Sequence, residues 1–499
     1  MFSDGFKSVF SFFISNIAFD DNKKNAYIKK EFNNLNFYFD LNVPLQHSEY
    51  GSRELIIFGY AVDVFNGQSE NIAEAMLNST KSFTDVIEYE KRLGGKYVIF
   101  YAENSKCYCL GDATCSVPIF YTVGLNDFMC CSNPNEIIKK YNLKPDPELQ
   151  KIRDSGSLNQ AMPYDVTPYK EIKQLLPNHY LDFSTEKAKR FVNSNKKQKV
   201  ITSEEAAKVI APMIENITEF YSSKFKILCP LTSGRDSRVV YAFLKKINRM
   251  VNSYTIWKDS FKIDSQDWDV PVELAKISGN NHEQIYKEAI TEEKKRSMDE
   301  TLGVNAYPDD AFVLSVTVNK HYGDCATMEG DIIGQVGKCS LHRNIPSILA
   351  TPAYFRCKLH NYSKESKKLL KEWLTELKQS GECVNSFDLF SVENRLGVWA
   401  SHTHLIRNTM GQMYVNMFNS RSIIYTLTAV DRAMRMRSEV HIELIKLAAP
   451  ELLEIPFEKD NSRIVSFAKS NSLVFYLASF AKYYVQKINF IKNRKMGRG

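Results

Sequence analysis

Ile227-Leu228-Cys229-Pro230-Leu231-Thr232-Ser233-Gly234-Arg235-Asp236-Ser237-Arg238, followed at once by Val239-Val240-Tyr241-Ala242-Phe243-Leu244, is the stretch on which the reading of this chain turns. A short apolar run, a turn of small hydroxylated residues about a glycine, and then a helical pattern predict strand, loop and helix. In that geometry the N–H groups of the loop and first helical turn converge without internal acceptors, and the helix dipole adds positive potential. An anion such as phosphate fits there. Thr232, Ser233 and Ser237 offer hydroxyl donors, Gly234 lets backbone approach a ligand closely, and Arg238 can neutralise charge. Leu231 and Arg235 complete the expected contact set. Asp236 is a metal candidate, because a carboxylate beside a phosphate makes physical sense mainly with Mg²⁺ between the two. The competing reading is an ordinary strand-to-helix connection whose Ser and Thr cap the helix.

Working outward, Ser253-Tyr254-Thr255-Ile256-Trp257 reads as the next strand, Asp267 to Lys276 as a helix carrying an acid at Asp269, and Gln284-Ile285-Tyr286 as another strand. Strand–helix–strand repeats of this length predict a doubly wound parallel sheet with ligands at the carboxyl ends of its strands. The second chemical cluster is Ala326-Thr327-Met328-Glu329-Gly330-Asp331-Ile332, a polar turn with two acids. Upstream, Thr202-Ser203-Glu204-Glu205 is a capping-box pattern opening an amphipathic helix that Pro212 should kink or divide. Before it, 191–199 is polar and Asn/Lys-rich, a linker. Residues 1–195 read as mostly β: Glu54 to Val62, then a helix near Asn71 to Asn78, then strands at Lys96 to Ala102, Lys106 to Gly111, Ser116 to Val123 and Phe128 to Cys131. From about residue 350 the text is helical.

Composition bounds this picture. With 499 residues the natural expectation is two large domains, and 44% hydrophobic with 25% charged residues excludes a disordered or fibrous chain. The balance of 65 basic against 58 acidic residues, net +7, is too mild to argue for nucleic acid. The ten Cys, at 107, 109, 115, 130, 131, 229, 325, 339, 357 and 383, lack paired CxxC spacing, so buried thiols and a reducing cytoplasm are expected. No apolar stretch reaches the ~20 residues of a membrane-spanning helix. Phe6 to Phe19 reads as a first strand or strand pair rather than a signal peptide, since no small-x-small cleavage site follows it. The basic tail from Lys482 to Gly499 has no acid and is a candidate contact for a partner protein or an anionic membrane surface.

The string L-T-S-G-R-D-S-R resembles the pyrophosphate-binding loop of the ATP pyrophosphatases, in the form found in the asparagine synthetase family, with Thr232 and Ser233 departing from the usual S-G-G-x-D-S. Gly111-Asp112, Val117-Pro118-Ile119-Phe120-Tyr121, Cys131-Ser132-Asn133 and Thr167 to Leu181 are similar to that family's glutaminase domain. The resemblance implies an α/β protein: an α+β sandwich of the N-terminal-nucleophile glutaminase type over 1–195, and a doubly wound ATP pyrophosphatase domain with a helical extension over 200–499. It implies ATP on Leu231 to Arg238, Thr255 and Gly330, Mg²⁺ on Asp236 and Asp331, and Glu329 and Lys459 as catalytic residues, with Arg463 a second candidate for the lysine's place. Arg395, Arg407 and Arg421 are candidates for holding a substrate carboxylate or phosphate. Ile332 stands where the family usually has another acid. The family's glutaminases use a Cys at position 2, whereas this sequence reads Met1-Phe2-Ser3-Asp4, so the expectation is no glutamine hydrolysis. The expected substrates are then a small-molecule or peptide carboxylate plus an amine, as in β-lactam-forming synthetases. An ammonia-fed asparagine synthetase and a nucleotide-binding relic without turnover stand as alternatives.

Overall fold

The computed structural model of the chain describes residues 10–17, 27–32, 35–156, 162–194, 196–248, 250–258, 261, 265–302, 309–323, 325–339, 341, 343, 345–457 and 471–495. Lys459, Arg463 and the first nine residues lie outside that set.

Alternating apolar residues build the N-terminal half. Its twelve strands are β1 (Phe12–Ser15), β2 (Tyr27–Phe32), β3 (Leu35–Asp40), β4 (Leu45–Tyr50), β5 (Arg53–Asp63), β6 (Leu93–Glu103), β7 (Lys106–Gly111), β8 (Phe120–Thr122), β9 (Met129–Cys131), β10 (Ile172–Gln174), β11 (His179–Asp182) and β12 (Lys187–Arg190). They form two antiparallel sheets, ordered β10-β8-β9-β1-β3-β2 and β12-β11-β7-β6-β5-β4. One face of each sheet meets the other in an aromatic core, where Phe39 lies 5.2 Å from Phe58 and Phe37 lies 5.6 Å from Phe100. The outer face of the second sheet is covered by helices Ile72–Ser79 and Phe83–Glu90. The outer face of the first is covered partly by helices of the other half, through Phe312, Leu405 and Ile406. Strand β8 is shorter than expected because the Asp112 carboxylate accepts from the N–H groups of Thr114 and Ser116 and from the Ser116 hydroxyl, which fold 112–116 into a turn.

The second half begins with helix Ser203–Lys224, closed at its start by the expected Thr202/Glu205 capping box. It runs unbroken through Pro212, whose missing hydrogen bond is outweighed by the burial of Ile210, Met213, Ile214 and Ile217 on one face. Five parallel strands follow: β13 (Ile227–Pro230), β14 (Asn252–Ile256), β15 (His282–Ile285), β16 (Ala326–Met328) and β17 (Met413–Val415), in the order β15-β14-β13-β16-β17. Two strands are added on one side of β13 before the chain crosses to the other. Loops after β13 and β16 therefore diverge, opening a crevice at the carboxyl edge of the sheet.

Candidate functional site

Both sequence-marked clusters sit at this crevice. Leu231 to Gly234 joins β13 to helix Arg235–Ile247, and Glu329-Gly330 joins β16 to the short helix Asp331–Val336. The two segments touch through glycine: a Cβ on Gly330 would come 3.0 Å from the Asp236 carbonyl oxygen, and one on Gly334 would come 2.8 Å from Asp236 Oδ2. Only hydrogen at those positions lets the second helix lie against the first turn of the loop helix.

The loop is held by its own side chains. The Thr232 N–H donates to Ser237 Oγ (3.1 Å), and the Gly234 N–H donates to Thr232 Oγ1 (3.2 Å). Ser233 is fully buried and gives both its N–H (3.0 Å) and its hydroxyl (2.6 Å) to the Asp267 carboxylate, an internal anion at the donors expected to face a ligand. Asp269, the acid singled out on that helix, is not the one that reaches the loop; two positions on a helix differ by about 200°. The amides of Arg235, Asp236 and Ser237 lie in the first turn of the helix, where N–H groups have no intrahelical acceptor. Thr255 sits beneath, donating through Oγ1 to the Leu231 carbonyl (2.6 Å). Next to it, burial pushes the His282 imidazole down to about 4.

Arg238 does not face the loop's open side. Its guanidinium is buried and donates to the carbonyls of Leu452 (3.0 Å), Ile455 (2.6 Å) and Ser233 (3.0 Å), with the Phe457 ring 4.1 Å away. It clamps the 450–457 segment rather than neutralising a ligand. Arg235, half-buried, lies over the same ring at 4.6 Å.

The two candidate metal ligands have different partners. Asp236 is paired with Lys338 Nζ at 2.7 Å and with His441 Nε2 at 2.9 Å. Burial raises the Asp236 carboxyl, but the His441 hydrogen bond and the charges of His441 and Lys338 prevail and hold it below its ordinary value. Asp331 accepts from the Tyr414 hydroxyl (2.9 Å) and from Asn416 Nδ2, both on Oδ1. Burial, helped by the charge of Glu329, pushes it up to about 6. Mg²⁺ needs ionised oxygen ligands converging on one point. Here one carboxylate already carries a lysine as its counter-cation, and the other is directed to a tyrosine and an asparagine. The two-carboxylate magnesium clamp expected of Asp236 and Asp331 does not fit this arrangement. Among the described residues, the one group of three acids, His or Cys with ligand atoms within 4.8 Å of one another is His47, Glu49 and Glu54, on the β4–β5 hairpin of the other half.

Glu329 is ion-paired with Arg407 Nη2 at 3.1 Å, and the Arg407 guanidinium lies 4.5 Å from the Tyr414 ring. Arg407 thus joins the site by holding an acid. Arg421 is buried elsewhere, against Glu90 and the Gly111 and Asp112 carbonyls, and Arg395 lies over Trp399 at 5.9 Å. Nine of the ten cysteines are buried. Burial raises the thiols of eight of them, all but Cys325, with Cys339 at about 12 and Cys357 at about 11, so these eight are packing groups rather than nucleophiles.

No protein-family model matches the chain, and no curated protein matches it. Among solved structures, glutamine phosphoribosylpyrophosphate amidotransferase from B. subtilis, complexed with ADP and GMP, aligns at 10% identity and a TM-score of 0.20, over 51% of this chain and 52% of that one. A structure of the allosteric regulatory enzyme of purine biosynthesis aligns at 10% identity and a TM-score of 0.23, over 52% of this chain and 62% of that one. The chain therefore spans between half and two thirds of each. Likenesses this distant assign neither ligand nor activity.

Proposed function

We propose that this chain is an ATP-dependent, AMP- and pyrophosphate-forming ligase of the asparagine synthetase type, joining a substrate carboxylate to an amine. The observation that carries the reading is the crevice: a hydroxyl-rich loop and helix start after β13 lie against an acid-bearing turn after β16, where a sheet of this strand order presents its ligand site. The phosphates would lie on the first-turn amides of Arg235 to Ser237. Lys338 would supply fixed positive charge beside them, and the sugar and base would extend over the ends of β13 and β14 near Thr255. A carboxylate oxygen attacks the α-phosphorus as its bond to the bridging oxygen breaks, and pyrophosphate departs. The amine then displaces AMP from the acyl carbon. Glu329, positioned by Arg407, is the group available to take the proton the amine loses. The residues contribute alignment and fixed charge, from which most of the rate acceleration in phosphoryl chemistry comes.

A second reading has its own support. Asp267 on Ser233 and Lys338 on Asp236 fill the loop from within, as in a protein that binds a nucleotide without turning it over. One experiment separates the two. The protein is incubated with ATP, ammonium and a panel of carboxylates, and AMP and pyrophosphate are quantified, alongside calorimetric titration with ATP. Carboxylate-dependent AMP, lost in Glu329→Gln with ATP binding kept, supports the ligase. Binding with no AMP for any carboxylate supports the second reading. No binding of ATP or pyrophosphate sinks both.

A further inference from the structure

The last helix, Ser472–Lys495, packs one side against the helical extension. Tyr476 stacks on Tyr354 at 5.0 Å, Ser479 Oγ accepts from Lys358 at 2.8 Å, and the buried Tyr483 donates to the Asn361 carbonyl at 3.0 Å. Anchored this way, it turns a different face to solvent. Leu473, Leu477, Tyr484, Val485, Ile488 and Ile491 are all exposed, from 59% at Leu473 to 43% at Ile491, and they are six of the seventeen large apolar residues exposed among the described residues. At about 100° per residue, positions 473, 477, 484, 488 and 491 fall within an arc of about 60°, a stripe about 27 Å long. Single exposed apolar residues are ordinary, but a continuous stripe of them is not.

Charge identifies what the stripe meets. The helix holds Lys482, Lys487, Lys492, Arg494 and Lys495 and no Asp or Glu. Positions 487 and 492 lie about 40° to either side of the stripe. A second copy of the helix laid on the first would bring two acid-free cationic faces together, which repel. An anionic lipid surface supplies both the charge and the apolar depth that such a face lacks. The helix does not have the length and apolarity to cross a bilayer, so the contact it is built for lies in the plane of the interface.

We propose that the Ser472–Lys495 helix docks this protein on anionic membrane surfaces, with the 473–491 stripe entering the headgroup boundary and the lysines beside it meeting lipid charge. The full-length protein is spun with sucrose-loaded vesicles of phosphatidylcholine alone and of equimolar phosphatidylcholine and phosphatidylglycerol, at low and high salt. The expected result is partition about tenfold stronger onto the anionic vesicles, weakened by salt. Leu477→Glu with Ile488→Glu, and separately Lys487→Glu with Lys492→Glu, each lower it about tenfold. Leu477, Ile488 and Lys492 are exposed and Lys487 is half-buried, and an unchanged melting curve verifies that the fold is kept. Equal binding to both vesicles, no binding, or Leu477→Glu/Ile488→Glu binding like the parent overturns the proposal. A dimer by light scattering that Leu477→Glu dissolves, without vesicle binding, gives the stripe to a second copy and overturns it as well.

Discussion

Replacing Lys338 by methionine keeps most of its packing volume and removes the one lysine charge on Asp236, which makes it the sharpest probe of the loop. The two groups stand 2.7 Å apart, with side chains 27% and 33% exposed. Unit charges at about 4 Å in a medium of effective dielectric about 20 attract by about 4 kcal/mol. Exposed pairs retain only about 0.2–1 kcal/mol of such energy. A pair one-third open to water falls between, so the expected loss is about 1–2 kcal/mol. The sign follows from linkage. The folded Asp236 pKa is depressed, so its contribution is complete above the unfolded carboxylate value near 4 and fades as pH falls through the folded one. Urea unfolding of parent and Lys338→Met at pH 7 and at about pH 3 measures this. The gap is expected to be open at pH 7 and to narrow at pH 3. A gap of the same size at both would make Lys338 a packing residue, and no gap at pH 7 would mean that solvent already screens the pair. The same melts test the metal site. Mg²⁺ is expected to leave the parent's melting temperature unchanged, because Asp236 already has its cation and a hydrogen bond from His441. A parent stabilised by Mg²⁺ would refute the assignment of Lys338 as resident counter-charge.

Three further outcomes follow from the same geometry. Asp331, raised to about 6 in the fold, is costlier to ionise there than in the unfolded chain, so Asp331→Asn is expected to stabilise the protein by about 1–3 kcal/mol above pH 6, with the gain growing between about pH 4 and 6 and flat beyond; a pH-independent change in urea unfolding would contradict this. Gly334→Ala places a methyl 2.8 Å from Asp236 Oδ2 and is expected to cost about 1–3 kcal/mol. Most of that cost should vanish in the Asp236→Ala background, and strict additivity in the double-mutant cycle would show that the strain lies elsewhere. Arg421→Met strips the buried Glu90 of its counter-charge, leaving the Tyr97 hydroxyl (2.7 Å) still donating to it, and is expected to cost about 3–5 kcal/mol in denaturant unfolding. Adding Glu90→Gln should return most of it.

The strands, the loop and the acid turn were legible because each is written in consecutive residues. Alternation gave β5 to β7, the T-S-G-R-D-S string gave the helix start, and Thr202/Glu205 gave the cap. What fills the site was not legible, because it comes from far along the chain: Lys338 is 102 residues from Asp236 and His441 is 205. No local period brings those side chains together; the sheet order and two glycines do. Arg238 misleads for a related reason. A basic residue one helical turn past Arg235 looks poised for phosphate, but both stack on Phe457, and Arg238 is drawn inward by carbonyls more than two hundred positions later. Asp267, which holds Ser233, stands two positions from Asp269, the acid singled out on that helix, and helix phase rather than composition decides which of the two reaches the loop.

The two halves of the chain meet through hydrogen bonds rather than through oil alone, and those bonds lead to the site. Lys96 of β6 is buried and donates to Asn408 Oδ1 (2.7 Å) and the Tyr414 carbonyl (3.4 Å). Burial pushes its ammonium down to about 7, a group tolerated there because those two acceptors surround it. Asn419 donates to the Gly95 carbonyl and to Asp112, and Arg421 crosses to Glu90. Tyr414 in turn donates to Asp331, and Asn408 is the neighbour of Arg407, which holds Glu329. Buried polar groups are costly unless every partner is in place, so losing the sandwich would strand Asn408, Asn419 and Arg421 and loosen both site acids at once. The N-terminal half is thus part of the wall that fixes Glu329 and Asp331, whatever else it does.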